Sequence, residues 1–203
     1  MWIWSLQSLK HTPSQKQGMS WQTESHERSR AVYWMVQAAI SLALPQIIIA
    51  TAATYLHRFY MRKSLQKYPT KEISATAFFL ATKVEEVPRK LEYVVKEYLK
   101  LGTDSQSENS NGSEDPKDFE RLKHHILYYE DILLRTLCFD LAVDHPYLPL
   151  IHTVKDFHVK SRSMAQSAWS FVNDSLMTTL CITTNPSVVA AAAFLIALSH
   201  RAI

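Results

Sequence analysis

The apolar residues of this chain recur at helical spacing, and the period-2 alternation that is typical of strands is scarce. Helix starts are marked by capping residues and by prolines, which have no backbone donor to leave unpaired in a first turn. The pattern therefore predicts an all-α fold with essentially no sheet. The predicted helices are Thr23–Ala43, Pro45–Arg62, Thr70–Val84, Pro88–Lys100, Pro116–Cys138, 146–158, 162–180 and 186–202.

Three segments interrupt this pattern. Residues 1–21 mix tryptophans with a Thr12-Pro13-Ser14 motif, which predicts an extended N-terminal arm. Residues 102–115 contain serine, asparagine, glycine and acidic residues but nothing apolar, which predicts a flexible surface loop. Asp144-His145-Pro146 separates the fifth predicted helix from the sixth. We therefore expect one helical unit over residues 22–141 and a second over 142–203.

Two segments, Ala75–Ala81 and Val188–Leu198, are apolar on nearly every side. A helix without a polar face must be surrounded by other helices, and alanine allows those helices to approach closely. Each segment therefore suits the centre of a helical bundle. Their positions suggest an internal duplication, with five predicted helices in the first unit and three in the second.

Composition narrows the class of protein. The 203 residues are 47% hydrophobic, which is enough for a substantial core. A net charge of +3 without a long basic run gives no support for direct nucleic-acid binding. The apolar run Leu42–Leu56 is interrupted by Pro45 and is too short to span a bilayer, so we expect a soluble intracellular protein without membrane contact. Cys138 and Cys181 lie in apolar segments and are predicted to be buried, reduced thiols.

Motifs for catalysis or cofactor binding are weak. Ser64-Leu65-Gln66-Lys67 matches a Ser-x-x-Lys acylation motif, but no partner motif accompanies it. Glu120 with His124 and His125 gives a single i,i+4 pair, which does not complete a metal site. Only three glycines are present, which argues against a nucleotide-cradling loop. We therefore expect no catalytic residues, no metal and no cofactor.

A basic cluster follows the second predicted helix and comprises Arg58, Arg62, Lys63, Lys67 and Lys71. Positive charge is favourable at a helix C-terminus, so the cluster is expected to be mainly a solvated surface. The alternative interpretation is a surface for an acidic partner.

Lys83 follows directly on the apolar segment that ends at Ala81, so its stem should be partly buried. A buried ammonium group needs an acidic partner or it loses its charge. Glu130 is a good candidate, because an isolated carboxylate among the apolar residues of the fifth helix would be equally costly. The residues alone leave open whether a Lys83–Glu130 pair is structural or binds a partner.

Several separate motifs resemble one protein family. The segments around Lys83 and Glu130 are similar to the cyclin box, and the others resemble the transcriptional K and T cyclins more than the L cyclins or the cell-cycle groups. The resemblance extends from Trp2 to the last residue. The motifs are Ala81–Glu86, Tyr129–Asp140, Leu9–Ser14, His57–Tyr60, Asp144–Tyr147 and Ala168–Leu176.

The resemblance implies two consecutive cyclin boxes joined near residues 140–146, the second ending after its third helix with its central helix uncovered. It also implies a nuclear, non-catalytic subunit that binds and activates a transcriptional cyclin-dependent kinase. That kinase would phosphorylate the C-terminal repeats of RNA polymerase II and support elongation. The implied kinase-interface residues are Lys83, Glu130, Glu85, Glu86 and Phe59.

Two other classes of protein are alternatives to a cyclin subunit. A cyclin-fold scaffold of the transcription machinery, similar to TFIIB, would bind DNA and should carry a stronger basic charge than +3. A small helical enzyme would need one of the catalytic motifs that are lacking in this sequence.

Overall fold

The computed structural model describes residues 2–101, 115–159 and 161–199. Within these ranges the chain contains helices and no strand, which confirms the all-α prediction. The predicted loop 102–115 lies outside the described residues, apart from Asp115. A 3-10 turn, Ser8–His11, precedes α1 (Pro13–Lys16), α2 (Trp21–Ser41), α3 (Gln46–Tyr60), α4 (Thr70–Val84), α5 (Leu91–Lys100), α6 (Pro116–Thr136), α7 (Tyr147–Asp156), α8 (Arg162–Ser175), α9 (Leu180–Thr183) and α10 (Pro186–Ser199).

Most helix starts follow the predicted capping chemistry. Asp115 and Asn185 each accept a hydrogen bond of 2.9 Å from the backbone N–H two residues later, at the starts of α6 and α10. The prediction that Thr23 caps α2 is wrong, because the hydroxyl of Ser20 accepts the backbone N–H of Thr23 at 3.0 Å. The cap therefore lies three residues earlier than predicted, and α2 begins at Trp21.

Four helices end in a left-handed residue that is not glycine. The φ angles are 50° at Ala43, 55° at Glu86, 55° at Cys138 and 47° at His158. At Glu86 the next N–H, that of Val87, reaches back to a carbonyl of α4 at 3.0 Å, and the same pattern occurs at the other three ends. This is the Schellman motif, in which glycine usually occupies the left-handed position. The predicted ends at Ala43, Cys138 and residue 158 wrongly include this residue in the helix.

Helix α4 forms the centre of the first group of helices and contacts α2, α3, α5 and α6. Ala75, Ala77 and Ala81 are fully buried on it, together with Phe78. The small alanine side chains allow the surrounding helices to pack closely. The prediction that this segment is enclosed on all sides is confirmed.

Helices α7, α8 and α10 form a second group, in which α10 packs against the other two. Ala190, Ala193 and Ala197 are buried in this packing, whereas Val188 and Leu195 are exposed, Leu195 by 63%. The prediction from the apolar pattern that Val188–Leu198 is enclosed on all sides is therefore wrong for the described residues, and the exposure fits the uncovered central helix that the resemblance implies. The assignment of two separate domains stays a prediction.

A buried ion pair joins the first helices. Both side chains of the pair, Glu24 and Arg28, are almost fully inaccessible, and Arg28 Nη2 lies 2.7 Å from Glu24 Oε1. The hydroxyl of Thr12 donates to the other carboxylate oxygen at 2.6 Å, and Arg28 Nη1 donates to the carbonyl of His57 at 3.1 Å. The pair thus connects the N-terminal arm, α2 and α3.

The N-terminal arm contacts two distant segments of the chain. The indole N–H of Trp2 donates to Asp140 Oδ2 at 2.7 Å, and the backbone N–H of Trp4 donates to the carbonyl of Ile182 at 2.8 Å. Asp140 follows α6, and Ile182 lies in α9, a short helix that contacts α3. The arm also contains the 3-10 turn and α1, so the prediction of a wholly extended segment is wrong.

The basic cluster is only partly solvated. Arg58 is buried, with its guanidinium 5.1 Å from the centre of the Trp2 ring, and Arg62 lies 4.3 Å from the same ring. Such cation–π contacts contribute about 0.5–2 kcal/mol each.

The cysteines also differ from expectation. Cys138 is exposed and Cys181 is partly buried, and both are free thiols as predicted.

Overpacking of α4 should destabilise the fold. Ala77→Leu adds three carbon atoms at a fully enclosed position and should cost about 1–3 kcal/mol or more in unfolding free energy. The matched control is Ala192→Leu, the same substitution at an exposed position of α10, which should cost little. Chemical denaturation measures both. Equal effects would contradict the central position of α4.

Glycine at a left-handed helix end should stabilise the protein. Ala43→Gly removes a left-handed strain of about 1–2 kcal/mol and costs part of that in unfolded-chain entropy, which leaves a gain of about 0.5–1 kcal/mol. Ala38→Gly, within the helical part of α2, should instead destabilise. Melting temperatures of the two variants should therefore move in opposite directions, and parallel shifts would contradict this account of the helix end.

Candidate functional site

The ion pair predicted between Lys83 and Glu130 is present. The last turn of α4 carries Lys83 and the middle of α6 carries Glu130, and because the two helices pack together Lys83 Nζ hydrogen-bonds Glu130 Oε1. Lys83 Nζ also lies 4.5 Å from the centre of the Phe79 ring. The side chains of Lys83 and Glu130 are 40% and 17% exposed. The pair is therefore at the surface, where an ion pair contributes only about 0–1 kcal/mol to stability.

The turn after α4 presents two acidic residues in different environments. Glu86 is exposed and holds the left-handed position of the Schellman motif. Glu85 is partly buried, and its Oε1 accepts a hydrogen bond of 2.5 Å from the hydroxyl of Thr51 in α3. One of the two predicted acidic interface residues is thus free to face a partner, whereas the other fixes the turn to the fold.

His145 extends the Glu85–Thr51 contact to the segment between α6 and α7. Its Nε2 lies 2.9 Å from Thr51 Oγ1. Thr51 gives its single hydroxyl proton to Glu85, so Nε2 of His145 must be the protonated nitrogen and donate to Thr51. Burial, assisted by the nearby Arg58 guanidinium, lowers the pKa of His145 to about 4 and keeps the ring neutral. The turn that follows Lys83 is therefore coupled to the linker at residues 140–146.

Phe59 does not lie at this surface. Its ring is fully buried, and makes edge-to-face contacts with Tyr60 and Tyr68 at centroid distances of 5.3 Å. A side chain in this position supports the core beneath Tyr68 and cannot contact a docked protein directly. The implied role of Phe59 as an interface residue does not fit the structure.

Two apolar side chains flank Glu130 along α6, and a third follows the end of the helix. Leu127 and Leu134 lie three residues before and four residues after Glu130, on the same helical face. Leu127 is exposed, Leu134 is partly exposed, and Phe139, just beyond the helix, is 65% exposed. We call Lys83, Glu130, Leu127, Leu134 and Phe139 the docking surface.

Leu127 and Leu134 each belong to a pair of successive apolar residues on α6, and their spacing does not show which residue of a pair faces inward. The structure buries Ile126 and Leu133 instead. Successive residues point in different directions on a helix, and on this amphipathic helix only one residue of each apolar pair is fully buried.

A buried histidine, His57, lies where α3 meets the end of α8. His57 Nε2 contacts the carbonyl of Leu176 at 3.0 Å, and since a carbonyl only accepts, this nitrogen carries the proton. Nδ1 has no hydrogen-bond partner among the described residues. Burial, together with the Arg28 guanidinium, lowers the pKa of His57 to about 3. The neutral ring thus connects α3 to the end of α8.

The described residues form an all-helical fold with a surface that could bind another protein. Its conspicuous surface combines one ion pair with exposed apolar side chains, the composition of a site that becomes desolvated when a partner docks. Within the described ranges, no helix combines the length and apolar character needed to span a bilayer. No cluster of three or more potential metal ligands occurs among the described residues.

Comparison with known proteins gives the family. The family model for the cyclin N-terminal domain matches residues 2–142. The chain is 38% identical over 202 residues to cyclin pch1 of Schizosaccharomyces pombe, covering 100% of this chain and 58% of that protein. It is 36% identical over 199 residues to human cyclin-K, covering 97% of this chain and 33% of the relative. The chain belongs to the cyclin family, and its resemblance to the transcriptional K and T cyclins is confirmed.

The same fold occurs in solved assemblies. One chain of the yeast RNA polymerase II CTD kinase CTDK-1 complex matches 98% of this chain and 62% of its own length, with a TM-score of 0.82 at 16% identity. A chain of the Chaetomium thermophilum CAK complex bound to ATP-gamma-S matches 98% of this chain and 67% of its own, with a TM-score of 0.74 at 20% identity. These matches establish the fold. The chain spans 58% of pch1 and 33% of human cyclin-K.

Acid should destabilise the protein through its buried neutral histidines. The unfolded chain binds a proton at His57 near pH 6.5, but the folded state does so only near pH 3. The stability contribution is therefore complete above pH 6.5 and is lost as the pH falls toward 3, by up to about 1.4 kcal/mol per pH unit. His145 acts in the same direction down to about pH 4.

The variant His57→Gln keeps an amide donor for the Leu176 carbonyl and removes the titrating group. We expect a flatter dependence of unfolding free energy on pH between 6.5 and 4, measured by urea denaturation. His26→Gln, at an exposed position of α2, serves as the control and should retain the wild-type slope. An unchanged slope in His57→Gln would contradict the assignment.

Proposed function

We propose that this chain is a regulatory subunit that binds and activates a cyclin-dependent kinase, and that the kinase phosphorylates the C-terminal repeats of RNA polymerase II in the nucleus. The observation that carries the proposal is the exposed Lys83–Glu130 pair, which lies within an apolar docking surface on a cyclin fold. The similarity to pch1 and cyclin-K, together with the CTDK-1 and CAK complexes, supports the kinase partner. The subunit supplies a surface and performs no chemistry itself.

The docking surface matches the regulatory helix of a kinase in chemistry. The apolar side chains Leu127, Leu134 and Phe139 would pack against the apolar face of that helix. Lys83 has ammonium donors beyond the one given to Glu130, and these can hydrogen-bond backbone carbonyls at the end of the kinase helix. Glu130 likewise retains acceptor capacity for backbone N–H groups.

Docking of the kinase would strengthen the attraction between Lys83 and Glu130 in addition to forming hydrogen bonds with them. Water is excluded when the partner covers Lys83 and Glu130, and electrostatic interactions become stronger in the lower dielectric. Pressing the kinase helix inward places its glutamate beside the kinase lysine that positions the phosphates. The Glu85–Thr51–His145 contacts hold the turn after α4 in place during this event.

The two-box arrangement is part of the proposal. The first box corresponds to α2 through α6 and carries the docking surface except Phe139, which follows α6. The group formed by α7, α8 and α10 would be the second box, reached through the linker at residues 140–146.

A TFIIB-like scaffold is the second candidate function, and a measurement of DNA binding at moderate salt would distinguish it from a kinase subunit. The cyclin relatives and the modest net charge favour the kinase subunit.

Removing either member of the ion pair should abolish kinase activation without unfolding the cyclin. Truncation of one partner in a desolvated interface costs about 2–5 kcal/mol of binding free energy. Because Lys83 is exposed and Glu130 partly exposed in the free chain, Lys83→Ala and Glu130→Ala should change its unfolding free energy by only about 1 kcal/mol. The double variant should bind little worse than either single variant. Calorimetry with the kinase that co-purifies from nuclear extract, together with kinase assays, measures these effects.

The matched control is Arg30→Ala. Arg30 pairs with Glu27 on α2, their side chains are 43% and 21% exposed, much as those of Lys83 and Glu130 are, and α2 carries none of the docking surface. This variant should bind and activate the kinase as the wild type does. Folded Lys83 and Glu130 variants with wild-type activation would refute the docking role, and unfolded ones would make the pair structural.

A further inference from the structure

An open cleft of about 440 Å³ lies beside the C-terminal ends of α3 and α6. Its volume is within the range of small-ligand sites. Arg62 and Lys63, which follow α3, line one part of it, and Asp131 and Arg135 of α6 line another. Tyr68, in the turn before α4, contributes its ring. None of the five docking-surface residues lines this cleft, so a ligand here would occupy a separate site.

The cleft carries excess positive charge. Three cationic side chains face a single carboxylate, Asp131, which lies 2.9 Å from Arg135. Lys63 has no ion-pair partner within the described part of the chain, and its ammonium lies 5.8 Å from the centre of the Tyr68 ring. Lys67 approaches the same ring at the same distance. The carbonyl ends of α3 and α6 offset part of this charge, but no second carboxylate balances it among the lining residues.

Arg62 is held in place by uncharged groups. Its Nη1 donates to the carbonyl of Thr136 at 2.9 Å and contacts Sγ of Cys138 at the same distance. The Trp2 ring stacks against its guanidinium, and Asp140 in turn fixes Trp2. The arginine is thus oriented without being neutralised by a carboxylate of its own. Such a preorganised cation is suited to bind an anion with little loss of conformational entropy.

We propose that this cleft binds a phosphorylated serine of a substrate repeat that the associated kinase has already modified. Three cations against one carboxylate leave two positive charges, which match the charge of about −1.5 to −2 on a phosphoserine. Arg135 and Lys63 would donate charge-assisted hydrogen bonds to the phosphate oxygens, and Arg62 would contribute its fixed charge. This proposal rests on the proposed function, because that function supplies the repeated and phosphorylated substrate.

The consequence is retention of the substrate between phosphorylation events. A repeat held in the cleft raises the effective concentration of neighbouring repeats at the kinase, as a linker does between two binding modules. The cyclin would then favour substrates that already carry a phosphate over unmodified ones. Activation of the kinase on an unmodified repeat would not require the cleft.

Binding to the free chain tests the site directly. The probes are a short RNA polymerase II repeat peptide with one phosphoserine, the same peptide without phosphate, and inorganic phosphate, all measured by fluorescence anisotropy or competition. We expect the phosphopeptide to bind at least about tenfold more tightly than the other two, since charge-assisted hydrogen bonds are about twice as strong as neutral ones. Affinity should fall as salt increases. Equal binding of both peptides overturns the proposal, and inorganic phosphate that binds as tightly as the phosphopeptide overturns its peptide specificity.

Variants locate the site. Lys63→Ala and Arg135→Ala should each weaken phosphopeptide binding by about three- to tenfold. Arg121→Ala is the matched control, because Arg121 is an exposed residue of the same helix, is paired with Asp118 three residues away, and lies outside the cleft. It should leave binding unchanged. An equal loss in Arg121→Ala would show that only overall charge matters, which overturns the site.

A kinase assay separates this proposal from the proposed function. The complex with Lys63→Ala should phosphorylate the unmodified peptide at the wild-type rate and lose its preference for the phosphorylated one. A complex that shows no such preference in the wild type overturns the retention role. If the proposed function fails instead, Lys83→Ala will not affect kinase activation, whereas phosphopeptide binding by the free chain will still depend on Lys63.

Discussion

The buried Glu24–Arg28 pair is the interaction on which the arrangement of the first helices depends. Loss of either charge would leave the other isolated in the core, at a cost of about 3–5 kcal/mol. The carboxylate also accepts from Thr12 of the arm, and the guanidinium reaches the backbone of α3 at His57, whose ring contacts Leu176 at the end of α8. One ion pair therefore specifies how the arm and α2 are placed relative to α3.

The docking surface relies on this frame rather than on internal stability of its own. Lys83 and Glu130 are exposed enough that their pairing contributes little to folding, yet α4 and α6 hold them in register. The turn after Lys83 is fixed by Glu85 and Thr51, and its strained residue, Glu86, lies at the surface. The buried Glu24–Arg28 pair positions the helices, whereas the Lys83–Glu130 pair remains accessible to a partner.

The sequence predicted what depends on apolar periodicity and missed what depends on long-range polar contacts. The limits of α4, its enclosure and the Lys83–Glu130 pair were all predictable, because Ala75–Ala81 has no polar face and a lysine follows it. Helix ends were missed because Ala43 and Cys138 occupy positions where glycine is the usual signal. The stacking of Trp2 on Arg58 was not predictable, since these residues are distant along the chain and nothing local distinguishes a buried arginine from a solvated one.

The contact between Trp2 and Arg62 has a thermodynamic consequence for the whole arm. Two binding equilibria that share one element must influence each other equally in both directions. If attachment of the arm orders Arg62, then any anion that binds Arg62 must also tighten the arm by the same factor. Release of the arm, which also bridges to Ile182 of α9, would weaken the anion site equally. Attachment of the arm and anion binding in the basic cleft are thereby thermodynamically linked, and each strengthens the other.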